Sequence, residues 1–348
     1  MGAKEKSVLC PCVPTMTVPA MQVLAVAAAS LLFSGALLVG SGCGGAAWKT
    51  TIGRDHPLTG RIWDVSAASF VDSRTLVSSL ASNRFVLLGE KHDNPDHHVL
   101  QARLLRSLID VGRRPAVGFE MINIDDAPTI AKHFAAAPND TAGLGEAVHW
   151  NKRGWPDWAM YQPIAEAAIE AGLPIVATNL RSTTVHTLRR KGVAGLDRAV
   201  VDQLDLDRPL TSETFAIMAD EVRVGHCGYA SEAVVKSMVT VQRARDARMA
   251  ESIIAAGRRD GAVLVTGAGH ARNDHGIPAY FASKAVGETV VSLAFIEVRD
   301  GVTEPPAYAR RFGHDTLPFD YVWFTPRLDD QDPCEKFRSE LERLKKRK

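Results

Sequence analysis

The sequence predicts an α/β protein: a mostly parallel sheet flanked by helices, with a smaller helical subdomain inserted before the last core strands. Short apolar runs alternate with helical patterns along residues 84–330, which is typical of parallel strands joined by right-handed crossovers. Several of these runs end in glycine, carboxylate or imidazole residues, as strands do where they surround a ligand crevice. Residues 181–254 instead show helical spacing along most of their length, which predicts the subdomain.

Composition narrows the class of protein. The chain has 348 residues, of which 46% are apolar and 23% charged, as expected for a globular protein with a sizeable core. The formal net charge is only +1, which argues against a nucleic-acid binder. We therefore look for function in local motifs rather than in overall charge.

Residues 1–43 predict a lipoprotein-type signal segment. Residues 23–39 are almost wholly apolar and lead into small residues around Cys43, which would carry the lipid. Gly40 replaces the usual leucine of such signals, and Lys4 and Lys6 lie far from the apolar run. An ordinary cleaved signal peptide and an uncleaved anchor remain as alternatives. The expected protein is exported and membrane-anchored, facing the periplasm or the cell surface.

Residues 44–83 are expected to form a linker that leads into the domain. The first buried strand is predicted at 85–88, and Glu90 and three histidines follow it closely: His92, His97 and His98. Asn94 and Pro95 then suit the N-cap and first position of a helix.

Three further strands are expected to deliver polar residues to the same edge of the sheet. They are predicted at 116–119, 174–177 and 262–266, and they end at Glu120, at Asn179 and at the glycine-rich turn before His270. Residues 290–298 and 321–324 are predicted as closing strands, and residues 331–348 as a charged helix or tail.

Glu90, His92, Glu120 and His270 are the candidate catalytic residues. Two carboxylates and two imidazoles in one crevice suit general acid–base chemistry, or a divalent metal ion held by Glu90, His92 and His270. The structural alternative is that the carboxylates cap helices and the imidazoles bond to turns. Gln242 lies four residues before Asp246, so both side chains face the same way on a helix.

An aromatic stretch at residues 149–161 is the second unusual feature. It contains three tryptophans, Tyr161 and His149, with cationic neighbours. Such a surface suits a flat apolar anion whose carboxylates meet Lys152, Arg153 or Arg181. Tyr161 would then supply a phenolate to ferric iron. The alternative is that the tryptophans close the open edge of the core.

Several motifs together resemble one family. They are Gly-Glu-Lys-His-Asp-Asn-Pro at 89–95, Gly-Phe-Glu-Met at 118–121, Gly-Trp-Pro-Asp-Trp at 154–158, Ala-Thr-Asn-Leu at 177–180 and Gly-x-Gly-His at 267–270. In this order they resemble the ChaN family of haem-binding, iron-regulated lipoproteins. The resemblance implies an α/β core with a helical subdomain, haem held by tyrosine with histidine assistance, and a homodimer with cofacial haems. It also implies a superfamily shared with Tiki metalloproteases, TraB-like proteins and erythromycin esterases.

Two functions follow as hypotheses. The first is a haem-binding lipoprotein for uptake or storage, with Tyr161 as iron ligand, His149 or His98 assisting and Arg181 beside the carboxylates. The second is a hydrolase of peptidase or esterase type, with or without a metal, in which Glu90, Glu120 and His270 activate water. Whether the chain is an enzyme stays open.

An oxidising compartment would permit a disulfide between Cys227 and Cys334, but the sequence does not show that they meet.

Overall fold

The computed structural model describes residues 48–332 together with 334, 335, 338, 339 and 342. The predicted signal segment, including Cys43, lies outside the described residues, as does most of the charged tail. The chain from Ala47 onward forms one compact unit. No helix in the described part of the chain is both long and apolar enough to cross a bilayer.

Eight strands of the described residues form one sheet, in the order β2-β1-β8-β7-β3-β6-β4-β5. Six of them, from β8 to β5, run parallel, whereas β1 is antiparallel to both β8 and β2. The strands are β1 (Ile62–Asp64), β2 (Ser69–Val71), β3 (Phe85–Glu90), β4 (Ala116–Asn123), β5 (Ile175–Asn179), β6 (Ala262–Gly267), β7 (Val290–Glu297) and β8 (Tyr321–Thr325). The predicted fold class is confirmed.

Helices cover both faces of this sheet. They are α1 (Ser73–Ser82), α2 (Pro95–Asp110), α3 (Ala127–Ala136), α4 (Thr141–Ala147), α5 (Trp158–Glu170), α6 (Ser182–Lys191), α7 (Arg198–Gln203), α8 (Ser212–Gly225), α9 (Glu232–Ala256) and α10 (Pro278–Lys284). Helices α6 to α9 lie between β5 and β6 in the chain, where the helical subdomain was predicted.

The described part of segment 44–83 belongs to the sheet and its helical cover. Ile62 of β1 pairs with Trp323 of β8, and α1 packs against α2. The first described residues of this segment are fixed to α2, because Asp96 accepts hydrogen bonds from the backbone N–H groups of Lys49 (2.7 Å) and Thr50 (2.9 Å). This segment therefore adds strands β1 and β2 to the parallel core, beyond the linker that its composition suggested.

Both faces of the central strands are buried, which explains their continuous apolar runs. Val86 and Leu88 of β3 pack toward α2 and α5, whereas Phe85 and Leu87 pack toward α9 and α10. Asn94 caps α2 by accepting from the Asp96 N–H at 2.9 Å, with Pro95 at the first position as predicted. A parallel sheet with both faces covered leaves its carboxyl edge as the open place for polar side chains.

Cys227 and Cys334 form a disulfide, with 5.4 Å between their Cα atoms. This bond joins the end of α8 to the carboxyl-terminal region. The sequence permitted the pairing without predicting it.

Candidate functional site

The carboxyl ends of β3, β4 and β6 bring four predicted residues into one crevice. Glu90, Glu120 and His270 are almost fully buried, and His92 is half-buried. The crevice has a volume of about 550 Å³, and we call it the inner crevice. Trp155 and Arg245 also line it, together with residues of β7 and the turn after β6.

Glu120 is the most heavily bonded carboxylate of the inner crevice. Its Oε2 accepts from Thr266 Oγ1 at 2.8 Å and from the Gly267 N–H at 2.6 Å, and its Oε1 accepts from Arg245 at 2.6 Å. Burial opposes ionisation, but His270 and Arg245 hold the pKa of Glu120 well below its usual range. Glu120 is therefore a fixed negative charge that does not act as a proton donor at neutral pH.

His270 lies between two carboxylates. Its Nδ1 is 2.5 Å from Asp246 Oδ1, and its Nε2 is 3.3 Å from Glu120 Oε1. Burial lowers the pKa of His270, but these two charges outweigh it and raise the pKa to about 9. The amide nitrogen of Gln242 lies 3.1 Å from Nε2, so α9 directs both Gln242 and Asp246 to His270. At neutral pH His270 is an imidazolium that can donate a proton.

Glu90 lies in the opposite wall of the inner crevice and contacts Tyr161, His92 and His98. Its Oε1 accepts from the Tyr161 hydroxyl at 2.8 Å and lies 2.9 Å from His92 Nδ1. Its Oε2 lies 2.9 Å from His98 Nδ1, but the N–H of that nitrogen points toward Gln101 instead. Burial opposes ionisation, but His98 and His92 lower the pKa of Glu90 to about 2.

His92 is the accessible imidazole of the inner crevice. Because Nδ1 faces Glu90, Nε2 faces the cavity, 4.0 Å from Glu120 Oε1. Burial lowers the pKa of His92, but Glu90 and Glu120 raise it above its ordinary value. The ring packs edge-on against Trp155, with 4.9 Å between centroids.

His98 presents no free ligand atom in this structure. The Gln101 amide nitrogen donates to Leu88 O at 2.9 Å, so its oxygen faces His98 Nδ1 at 3.1 Å. His98 Nε2 lies 2.9 Å from the carbonyl oxygen of His92. Both ring nitrogens therefore donate, which makes His98 an imidazolium and leaves no lone pair for iron.

His97, the adjacent residue, has the opposite protonation state. Its Nδ1 accepts from the Lys91 N–H at 2.9 Å, and its Nε2 lies 2.9 Å from Thr325 Oγ1. Burial lowers the pKa of His97 to about 3, so the ring is neutral.

Tyr161 likewise does not reach a cavity surface. It is fully buried, donates to Glu90, and packs against the rings of His98 and Trp150. Burial and the Glu90 charge raise the pKa of Tyr161, which keeps it a neutral phenol. The phenolate that the sequence suggested for ferric iron does not fit this geometry.

Two tryptophans of the aromatic stretch belong to the core, and the third lies at a cavity surface. Trp150 and Trp158 are buried in the core, with ring centroids 4.8 Å apart. Trp155 instead lies half-buried between the inner crevice and a neighbouring cavity of about 590 Å³, which we call the outer crevice.

The outer crevice contains the remaining haem-site candidates. His149 is exposed on its wall with a left-handed backbone (φ 52°). Lys152 also lines the cavity and is exposed. Arg181 lies beside it, because its guanidinium pairs at 2.5 Å with Asp125, which lines the cavity. The structure thus separates the predicted haem residues: His149 and Arg181 are accessible, and Tyr161 and His98 are not.

The metal site expected at Glu90, His92 and His270 gains no support from the structure. Within the described residues no group of three histidine, cysteine, aspartate or glutamate side chains has a geometry that could hold a metal ion. In this arrangement Glu90 Oε1 contacts Tyr161 and His92, and both nitrogens of His270 face carboxylates, whereas His92 Nε2 faces the cavity.

Arg245 is the site residue that sequence reasoning missed. Its guanidinium binds Glu120 at 2.6 Å and Asn179 Oδ1 at 3.2 Å, and it lines both crevices. The available signal was its place beside Gln242 and Asp246 on one helix.

One match among solved structures agrees with this architecture. ChaN of Campylobacter jejuni, whose structure shows cofacial haem binding, matches with a TM-score of 0.58 and 18% identity, over 75% of this chain and 95% of that one. A mutant of the erythromycin esterase EreC and the type III effector HopBA1 match with TM-scores of 0.39 and 0.38. They cover 74% and 72% of this chain and 81% and 92% of their own, at 15% and 14% identity. A search of curated proteins found no match.

A family match covers residues 76–281, which is more than half of the chain. It includes every predicted site residue from Glu90 to His270. The chain belongs to the family described as haem-binding uptake, Tiki superfamily, ChaN.

Proposed function

We propose that this protein binds haem in the outer crevice, with His149 as the iron ligand. The observation that carries the proposal is that the His149 imidazole is exposed and unpaired within the described residues, in a chain that belongs to this family. Its imidazole is exposed, lines a cavity of ligand size, and has no hydrogen-bond partner in the part of the chain that the structure describes. A free imidazole nitrogen is a common ligand of haem iron.

The other walls of the outer crevice fit the remainder of haem. Apolar surface comes from Trp155, Met121, Leu180, Val185 and Val241. Lys152 has no ion-pair partner among the described residues, and the Arg181–Asp125 pair is exposed and therefore weak. These two cations suit the propionate carboxylates. Haem would supply the iron centre, and the chain's own residues would hold and orient it.

We further propose that the protein is an exported lipoprotein, anchored through Cys43 and facing the periplasm or the cell surface. The signal-type segment supports export. A binding protein in that position would take up or store haem, and a homodimer would allow two outer crevices to face each other. Sedimentation with and without haemin tests the dimer.

A haemin titration followed by visible absorption tests the ligand assignment. His149→Asn is the sharpest variant, because asparagine tolerates a left-handed backbone but lacks the imidazole. We expect a saturable Soret shift in the wild type that is lost in His149→Asn and kept in Tyr161→Phe. His186→Asn, at another exposed histidine, is the matched control. Loss of the shift in Tyr161→Phe alone would return the assignment to Tyr161.

A hydrolase is the second candidate, and the pairing of His92 with His270 in the inner crevice favours it. Glu90 holds the Nδ1 side of His92, so Nε2 faces the cavity and can take a proton from water once the ring has lost its own proton, above its raised pKa. His270, charged and held by Asp246, can donate a proton to a leaving group. Both rings approach Glu120 Oε1, at 4.0 Å and 3.3 Å. This chemistry suits ester or peptide hydrolysis without a metal.

Turnover of a panel of esters and peptides tests the second candidate. His270→Gln should abolish any activity, and Glu90→Gln should reduce it while leaving haemin binding unchanged. Activity that survives both variants would exclude this mechanism.

A further inference from the structure

The edge of the sheet opposite the two crevices carries a concentration of arginines. Strands β3, β4, β6 and β7 are parallel and therefore begin at this same edge. Five arginines lie in the turns that precede β3, β4 and β6, and we call them the arginine face: Arg84, Arg113, Arg114, Arg258 and Arg259. Because the whole chain has a net charge of only +1, this edge is strongly polarised relative to the remainder of the molecule.

Two of these arginines hold the turns together. Arg113 donates to the carbonyl oxygens of Ala81 and Asn83, each at 2.6 Å. Arg84 donates to Glu288 at 2.8 Å and so ties the turn before β3 to the turn before β7. Their role is to make the face rigid.

The other three arginines are exposed to solvent. Arg114 bonds only to backbone carbonyl oxygens, and the Arg258 side chain has no partner among the described residues. Arg259 is 93% exposed and pairs only loosely with Asp260, at 3.6 Å. Asp260 and Glu288 are the acidic residues of these same turns, so the face keeps an excess of positive charge.

Two apolar side chains stand among these cations. Val111, in the turn before β4, is 58% exposed, and Val286, in the turn before β7, is 82% exposed. Beside them a groove of about 530 Å³ runs between α1 and α2, with Val77 and Leu104 in its wall. Exposed Arg74 and Arg103 line the same groove together with exposed Asp110, and neither arginine has an ion-pair partner among the described residues.

We propose that the arginine face docks on an anionic lipid bilayer. Cations attract acidic headgroups, and apolar tips enter the interfacial layer, so a bilayer uses both features at once. A soluble polyanion would use the charges and leave the two valines in water. A protein of residues 47–348 lacks Cys43, so its binding to vesicles reports this face without any lipid on that residue.

Vesicle flotation of residues 47–348 tests the proposal, since this part forms one compact unit with the complete sheet. We expect binding to vesicles of phosphatidylglycerol and phosphatidylcholine, and none to phosphatidylcholine alone. Each arginine near such a surface is worth about a fivefold change in partition. The triple variant Arg114→Glu, Arg258→Glu, Arg259→Glu should therefore lower partition by about 100-fold or more.

The matched control makes the same charge change elsewhere, with Arg189→Glu, Arg190→Glu and Lys191→Glu at the exposed end of α6. It should lower partition several-fold less than the triple variant. Val111→Ser with Val286→Ser should weaken binding even at high salt. Equal loss in both charge variants would overturn the proposal. So would heparin binding of equal strength together with no effect of the valine changes, because the partner would then be a soluble polyanion.

Discussion

The two ends of the parallel sheet differ in whether their charged side chains are buried or exposed. At the carboxyl end, Glu120 and His270 are almost fully buried and each has several partners within 3.3 Å. At the amino end, Arg258 and Arg259 extend into solvent. The difference follows from topology, because side chains of α9 reach the carboxyl edge and pair with its charged groups, whereas short turns cover the amino edge. Buried charge with fixed partners suits selective chemistry on a small ligand, and exposed charge suits an extended partner.

The largest effect should come from breaking the buried end. Glu120→Ala would leave the guanidinium of Arg245 and the imidazolium of His270 without their shared counter-charge. Removing one partner of a buried ionic network costs about 3–5 kcal/mol. Urea unfolding should show this loss, and Glu120→Gln, which keeps the shape, should recover part of it. A loss below about 1 kcal/mol would mean that water reaches Glu120.

The pH dependence of stability should also report the buried end. His270 faces Glu120 and Asp246, and His275, in the same loop after β6, lies 3.0 Å from Asp274 and 3.4 Å from Glu221. Burial lowers the pKa of both histidines, but these carboxylates raise each pKa to about 9. A group whose folded pKa is raised stabilises the fold fully below its unfolded pKa, near 6.5, and loses that contribution as pH rises to 9. We expect the free energy of unfolding to fall by on the order of a few kcal/mol over this window.

The control for this titration is the double variant His270→Gln, His275→Gln. Its stability should be lower at pH 6, and it should fall less from pH 6.5 to 9 than that of the wild type, because only groups such as His92 and His98, whose pKa values are also raised, still lose protons there. An unchanged slope in the double variant would assign the pH dependence to other groups.

Sequence reasoning was strongest where the chain itself places a residue at a strand end. Glu90 and Glu120 follow apolar runs closely, and His270 follows one after a short glycine-rich turn. Parallel topology then brings the three residues together whatever the side-chain details. The same reasoning located the helical subdomain from its spacing. It predicted which of these side chains meet at one edge of the sheet, but not their exposure.

The exposure of these side chains could not be predicted from the sequence, because it depends on packing between distant segments. Tyr161 lies on α5, 71 residues after Glu90, and only tertiary structure shows that its hydroxyl is used by that carboxylate. His97 and His98 are adjacent, yet one is neutral and the other charged because different backbone and amide groups face them. Arg245 was likewise recognised as a site residue from its contacts in the structure and not from a sequence motif.

A smaller effect should follow from removing one donor at the buried end. Tyr161→Phe deletes the hydroxyl that donates to Glu90 Oε1 and leaves His92 beside the same oxygen. A hydrogen bond to a charged group contributes about 1.5–3 kcal/mol. Chemical unfolding should show a loss in this range, and Tyr308→Phe, at another buried tyrosine that bonds only to the backbone, should lose less. Equal losses would mean that the Glu90 charge adds nothing to this bond.

The smallest effect should come from the exposed end, where Glu288 pairs with Arg84 at 2.8 Å and both side chains are about one-third exposed. Solvent screens this pair, so Glu288→Ala should cost under about 1 kcal/mol. Added salt should shrink the difference between variant and wild type, whereas the Glu120→Ala loss should persist because burial excludes ions. If both losses responded to salt alike, the two ends of the sheet would not differ in how they hold charge. Glu288→Ala should also strengthen binding to anionic vesicles, since it removes a negative charge from the arginine face.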